Sequence, residues 1–383
     1  MTKPQTPALP DPRAETHVSA QTLVLTYEGA GYARAQPAIL QPAEPFLDLS
    51  GEDIRSRMFL TAGRASEELC LRPDFTIPVS RDYLASAAAG RPQGYCYLGP
   101  VFRDRGTLPG EFLQAGIESF GRTDKAAADA ETLALGLAAT AHFGNRAPDI
   151  RMGDVGLFSA LVAALDLAPA WKRRLVKDFN RKASLAQDLD RLTLSAANIK
   201  PEYQGVLAAL AGSDPKAAHA LVTDLLSIAG ITAVGGRSVG EIADRFLEQS
   251  TLGASAALPP YTRTLVERFL AVSGNPLDAA VEMRKLANDG GFVLTPTLDL
   301  FDARNVELAK RGIDVKRIAF SSAFGRGMDY YTGFVFELTD GTANEPLVAG
   351  GRYDDLLTRL GSPAPIPAVG FSVWIERLAG GAA

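Results

Sequence analysis

Two stretches with the texture of β-sheet lie on either side of a long stretch that lacks it. Residues 69–83 and 93–120 are dense in Leu, Tyr, Val, Phe and Cys between glycines and prolines, and the texture returns in Ile318–Ser322, Gly333–Leu338 and Val369–Ile375. From about Leu157 to Gly290 the composition changes to Ala, Leu, Asp, Lys and Arg with almost no aromatic alternation, which is that of helices. Strands on both sides of a helical interval predict one discontinuous α+β domain carrying a helical insertion. The boundaries expected are a flexible arm over 1–16, a first core segment over 17–166, the insertion over 167–292 and a second core segment over 293–383.

Within the core, Val18, Leu23, Val24 and Tyr27 fall at helical spacing and predict a short helix over His17–Glu28, ended by Gly29 and Gly31. The proline-punctuated stretch Pro37–Leu49 suits an extended segment at an edge or interface. Residues 93–103 and 112–120, joined by a glycine-containing loop, read as a hairpin. A long Ala/Leu helix is expected to begin at Thr123, with an N-cap within Thr123–Ala126 followed by the run Ala126–Phe143 at helical period, and Gly325, Gly341 and Gly350-Gly351 read as turns.

Composition removes several functions. With 39 Lys and Arg against 44 Asp and Glu, the net charge of −5 leaves no basic excess for a phosphate backbone. The longest uncharged runs, about 14 to 16 residues, contain Pro, Gly or polar breaks and fall short of the ~18 apolar residues of a membrane span. The first residues, MTKPQTPALPDPRAE, have no apolar core of a secretory signal, so a cytoplasmic location is expected. Cys70 and Cys96 lack metal or redox spacing and read as buried thiols. His17, His142 and His219 have no second ligand at i+3 or i+4, which argues against zinc hydrolysis and Ser-His-Asp chemistry, and no metal or cofactor is expected. Gly29-Ala-Gly31 and Gly235-Gly236 lack the remainder of a nucleotide fingerprint. Lys172, Arg173, Arg174, Lys177, Arg181 and Lys182 read as a solvated helix face, with an acidic partner as the other reading.

Four clusters carry chemistry. In Leu71-Arg72-Pro73-Asp74-Phe75-Thr76, a carboxylate and a hydroxyl two apart share one face if the segment is a strand and can then position an ammonium group; a turn with a capping side chain explains them equally. Gln114, Gly116 and Glu118 alternate at period two, so an amide and a carboxylate flank a glycine, leaving room for a ligand or marking a polar sheet face. In Gly325-Arg326-Gly327-Met328-Asp329-Tyr330-Tyr331, a guanidinium able to bind a carboxylate precedes two tyrosines able to wall a planar ring. Gly350-Gly351-Arg352-Tyr353-Asp354 and Gly370-Phe371-Ser372-Val373-Trp374 with Arg377 complete the set.

In this order the clusters resemble the class II aminoacyl-tRNA synthetase core, specifically the histidyl-tRNA synthetase family. Leu71–Thr76 is similar to its L-R-P-E-x-T element, Phe102-Arg103 with Gln114–Glu118 to motif 2, Arg326–Tyr331 to R-G-L-D-Y-Y, Gly350–Asp354 to A-G-G-R-Y-D, and Gly370–Arg377 to motif 3. Pro37–Phe46 resembles motif 1, the dimer-forming segment. The resemblance implies a mainly antiparallel six-stranded sheet flanked by helices, self-associating as a dimer, with a pocket for free histidine. Carried over by position, Asp74, Thr76 and Gln114 hold the α-ammonium and Arg326 the α-carboxylate. Glu118 and Tyr331 hold the imidazole, with Tyr330 beside them.

Three departures separate the chain from the synthetases. It ends six residues after Arg377, where they continue into an anticodon-binding domain, and ten residues of low basicity separate Arg103 from Gln114. Trp374 stands where motif 3 has its second glycine, and an indole burying about 150–250 Å² excludes adenine from that space. Arg103 and Arg377, phosphate-contacting in the family, are expected as vestiges of a nucleotide site. The set therefore resembles the synthetase-like regulatory subunits of ATP phosphoribosyltransferase. That resemblance implies a non-catalytic chain that associates with the short-form catalytic subunit and mediates feedback by histidine on the first step of histidine biosynthesis. The alternatives are a trimmed ligase that still adenylates histidine, and a scaffold in which Arg326 and Glu118 are an internal ion pair.

Overall fold

The computed structural model describes residues 14–64, 66–193, 220, 223–224, 258–341 and 345–380. The arm before Ala14, His219 and Gly235-Gly236 lie outside the described residues. The chain divides into two compact units, the first Met1–Leu157, Ala271–Lys285 and Leu294–Ala383, the second Phe158–Leu270 and Leu286–Val293.

Among the described residues the first unit has twelve strands: β1 (Ala33–Arg34), β2 (Leu40–Pro42), β3 (Leu60–Ala62), β4 (Glu68–Leu71), β5 (Gln93–Phe102), β6 (Glu111–Phe120), β7 (Asp149–Asp154), β8 (Ser273–Gly274), β9 (Ile318–Ser321), β10 (Phe334–Thr339), β11 (Val348–Arg352) and β12 (Ala368–Trp374). Nine form one sheet in the order β1-β5-β6-β12-β11-β10-β7-β9-β8, and β2-β4-β3 form a small second sheet. The six strands from β5 to β7 in that order are antiparallel throughout, which is the sheet implied by the resemblance. The count of six is corrected to nine because β1 and β9 extend the two sides in parallel and β8 closes the far edge. Strands of two residues, such as β1 and β8, are too short to leave a periodic signal in sequence.

Register sorts the faces. Phe336, Gly350, Phe371, Ile117 and Cys96 lie in one cross-strand row, and Val335, Gly351, Gly370, Glu118 and Tyr95 in the next. Successive rows point to opposite faces. The first row is apolar and meets helix α1 (Ala14–Gly29), where Tyr27 sits edge-on to Phe371 at 5.8 Å. The second row carries the buried acid.

Four local expectations are corrected. Residues 69–83 are not all strand, because Thr76–Ala85 is a helix. Asp74 precedes it, and its Oδ1 accepts from the Ile77 N–H at 3.4 Å, capping the first turn. Thr76, Ile77, Pro78, Val79 and Ser80 are all buried, so the first half of this helix shows no amphipathic period. Pro37–Leu49 is extended only through β2; Glu44–Leu49 is a helix that Pro45 begins, where a missing N–H costs nothing. The Ala/Leu helix starts at Lys125, not at Thr123, with Asp124, inside the expected interval Thr123–Ala126, at the N-cap. Gly350 and Gly351 are in the middle of β11 and not in a turn, and a Cβ on either would collide with backbone of the neighbouring strands.

One buried ionic cluster ties the helices to the strand ends. Asp129, fully buried on Lys125–His142, accepts at Oδ2 from Arg304 Nε at 2.8 Å. Its Oδ1 accepts from Arg352 Nε at 2.9 Å and Nη2 at 2.6 Å. Arg304, on the helix Thr295–Lys310, also donates to Asp154 at 2.8 Å, and Arg352 to Asp354 at 2.9 Å.

The second unit has its own apolar core, with Phe158 stacked on Phe179 at 4.9 Å and Trp171, Leu175, Leu185, Leu189, Val266 and Phe269 buried. The basic face expected on Pro169–Lys177 is not wholly solvated, because Arg174 pairs at 2.5 Å with Asp188, which is 1% exposed. No described helix is long and apolar enough to cross a membrane.

Replacing Asp129 by Ala strands two buried guanidiniums. The expected loss is about 3–5 kcal/mol in urea unfolding, whereas exposed pairs such as Arg263–Glu267 cost under about 1 kcal/mol.

Candidate functional site

A single carboxylate organises the site. Glu118 on β6 is 1% exposed, and three hydroxyl groups converge on it. Thr76 Oγ1 donates to Oε1 at 2.7 Å, Tyr97 Oη approaches the same oxygen at 3.4 Å, and the Tyr353 hydroxyl donates to Oε2. The carboxylate fits because its cross-strand neighbour is Gly370; a Cβ there would occupy the position of Glu118 Oε2. Burial raises the Glu118 carboxyl from 4.5 to about 8; the Tyr353 and Thr76 hydroxyls oppose this, and nearby Asp74 adds to it.

Two further acceptors lie buried in the same unit. Asp74 is 2% exposed and Gln114 is 1% exposed, and Asp74 Oδ2 and Gln114 Oε1 have no hydrogen-bond partner among the protein atoms. Burial also raises the Asp74 carboxyl, which the Arg103 charge partly offsets. An unsatisfied buried acceptor costs about 1–3 kcal/mol. Such atoms are suited to a ligand that brings donors, above all a cationic amine.

Tyr330 and Tyr331 complete the surround, their rings 4.9 Å apart and Tyr330 5.7 Å from Tyr353. Arg326 pairs with Glu337 at 2.8 Å, not with Glu118, so the internal Arg326–Glu118 pair is ruled out. Its Nε is buried without a hydrogen-bond partner, and its charge offsets part of the burial-driven rise at Tyr331. The structure thus gathers Asp74, Thr76, Glu118, Tyr330 and Tyr331 around one acidic centre, with Gln114 on the same face of β6. Arg103 and Arg377 lie apart from that carboxylate, lining with Trp374 a cavity of about 430 Å³.

Two residues of the site escaped sequence reasoning. Tyr97 pairs in register with Gly116, and its hydroxyl and Phe371 O take the space where a side chain at Gly116 would go, so the room expected for a ligand is filled by protein. Tyr353 adjoins Arg352, and the signal for it was its place in the Gly350–Asp354 cluster. The alternation of Gln114, Gly116 and Glu118 had already marked this face, but nothing in sequence marks which tyrosines reach it.

The raised Glu118 carboxyl has a consequence for stability. The folded chain holds that proton more tightly than the unfolded chain between about pH 4.5 and 8, so this contribution to stability is lost as pH rises through that window. In Glu118→Gln the decline is expected to be shallower, read as the difference in urea midpoints between about pH 5.5 and about pH 8.5.

The histidyl-tRNA synthetase family matches residues 7–246 and 221–378 of this chain. Proteins named ATP phosphoribosyltransferase regulatory subunit, from Brucella canis and Brucella melitensis, are 42% identical over 344 residues, covering 89% of this chain and 90% of theirs. A crystal structure from Bacillus halodurans, described as an ATP phosphoribosyltransferase regulatory subunit/histidyl-tRNA synthetase, superposes with a TM-score of 0.67 at 22% identity, covering 99% of this chain and 82% of that one. A histidine-tRNA ligase subunit from Alicyclobacillus acidocaldarius has a TM-score of 0.58 at 23% identity, covering 99% and 96%. The solved structures carry the fold and the Brucella sequences the branch: this chain belongs to the histidyl-tRNA synthetase family, among its ATP phosphoribosyltransferase regulatory subunits.

Proposed function

We propose that this chain senses free histidine and imposes feedback on a short-form ATP phosphoribosyltransferase catalytic subunit, which carries the chemistry. The observation that supports it most is the pair of buried, unpartnered acceptors, Asp74 Oδ2 and Gln114 Oε1, in the same pocket face as a hydroxyl-ringed carboxylate. A small zwitterion with a basic ring supplies what those groups lack. Its ammonium goes to Asp74, Thr76 and Gln114, its ring to Glu118 and Tyr331, with Tyr330 alongside. Its carboxylate goes to Arg326, whose Nε is an unused donor. Histidine binding then biases the complex through its differential affinity for two arrangements, typically about 1–3 kcal/mol of coupling.

Self-association is proposed through the small sheet. Leu40 on β2 and Leu60 on β3 are 48% and 50% exposed, with Ile39 and Phe59 exposed beside them. Leu60→Asp is expected to shift the sedimenting species toward the monomer.

Calorimetric titration of histidine into the chain, alone and in complex with the catalytic subunit, tests the pocket. Asp74→Asn removes a charge-assisted bond of about 1.5–3 kcal/mol, so affinity is expected to fall about 10- to 150-fold, with a matching rise in the histidine needed to inhibit the complex. Undiminished binding in Asp74→Asn rejects the assignment. Histidine-dependent exchange of pyrophosphate into ATP would mark a ligase instead, and none is expected.

A further inference from the structure

Arg326 is held at one corner of its guanidinium. Nη1 donates to Glu337 Oε1 at 2.8 Å, while Nε is buried with no hydrogen-bond partner. The Nε–Nη2 edge of a guanidinium matches the paired oxygens of a carboxylate, and Glu337 leaves that edge of Arg326 unused. The Arg326 charge acts on Tyr331, so the guanidinium lies at the side of the pocket.

The sheet explains why it stays there. Glu337 on β10 belongs to the cross-strand row Tyr97, Gly116, Ser372, Ala349, Glu337 and Arg151, on the same face as Glu118. Arg151 and Gly153 on β7 share that face and receive the segment that leads into Arg326. The Arg151 guanidinium lies over the buried Phe324 ring at 4.2 Å, and the Phe324 carbonyl stands where a Cβ on Gly153 would go. The backbone is thus anchored on β7 just ahead of Arg326, and the Arg326 side chain is anchored on β10. An arginine tethered in this way has already lost much of the rotamer freedom that binding a ligand would take from it.

Charge leaves room for an anion at the free edge. Arg151 stands directly opposite Glu337 and makes no ion pair among the described residues. Arg151, Glu337 and Arg326 together carry 2 − 1 = +1, so Glu337 does not cancel the cation that it holds.

We infer that Glu337 is a positioning residue: by holding Nη1 it turns the Nε–Nη2 edge of Arg326 to the pocket, and the pocket's preference for an effector with a carboxylate depends on it. The inference rests on the histidine reading above and adds to it a side chain that touches no part of the ligand.

Titration calorimetry on the full chain, free and with the catalytic subunit present, tests it by comparing histidine with histidinol, which has the same ring and ammonium but no carboxylate. The wild-type chain is expected to prefer histidine. In Glu337→Ala the affinity for histidine is expected to fall at least about tenfold, while that for histidinol changes less than about twofold. Glu337→Gln keeps an oxygen for Nη1, so a smaller loss is expected, again confined to histidine, and this variant decides the matter if the alanine chain melts early. Three outcomes overturn the inference and leave histidine binding intact. They are a wild-type chain that binds both ligands alike, an equal loss for both ligands in the Glu337 variants, as a purely structural role would give, and histidine bound as well or better in those variants, as a rival for Arg326 would give. No histidine binding by the wild-type chain in either setting rejects the histidine reading itself, and the role of Glu337 falls with it.

Discussion

Asp129 holds the architecture of the site in register. It has no exposure to water, and its two oxygens are shared between Arg304 from a neighbouring helix and Arg352 from the end of β11. A buried pair of this kind is weak evidence for net stability, since desolvating the charges consumes most of what their attraction returns. Its consequence is geometric. Arg352 is held by Asp129 and Asp354, so the residue between Arg352 and Asp354 has little freedom, and that residue is Tyr353, whose hydroxyl meets Glu118. The acidic centre on one side of the sheet is positioned by an ionic cluster at the strand end.

The surround of Glu118 contributes no guanidinium or ammonium among the groups that act most strongly on it. Its nearest partners are hydroxyls, which stabilise an ionised carboxylate less than a guanidinium does, and a second buried acid, Asp74, works against it. The cations are displaced to the sides, with Arg326 engaged by Glu337 and Arg103 donating to Pro73 O at 2.7 Å. Buried acceptors without a cation beside them are suited to a group that brings positive charge. Trp374, which lines the cavity with Arg103 and Arg377, stands in the row of Gln114.

Much of this was legible in the sequence because strand periodicity and local motif spacing survive without tertiary context. Gln114 and Glu118 were placed on one face from their alternation alone, the hairpin from its bounding apolar runs, and the antiparallel centre of the sheet from the resemblance. What was not legible was set by contacts between distant segments. Thr76 opens a helix whose first five residues are all buried, so the apolar run that contains it looks like a strand. Asp129 is one acid in an Ala-rich helix, indistinguishable there from a solvated one until Arg304 and Arg352 arrive from far along the chain. Gly350 and Gly351 look like a turn, because a glycine required by neighbouring backbone has the same letter as one required by a positive φ.

The fit between Gly370 and Glu118 binds the evolutionary fate of two positions far apart in the chain. While the acid is present, position 370 has no tolerance for even a methyl group, since the carboxylate fills the volume that a Cβ would claim. Loss of the acid alone does not lift that prohibition, because the Ile117 carbonyl oxygen also crowds the same Cβ position. An alanine at 370 in a relative would therefore record two changes together, a displaced carboxylate and a β12 backbone shifted away from β6.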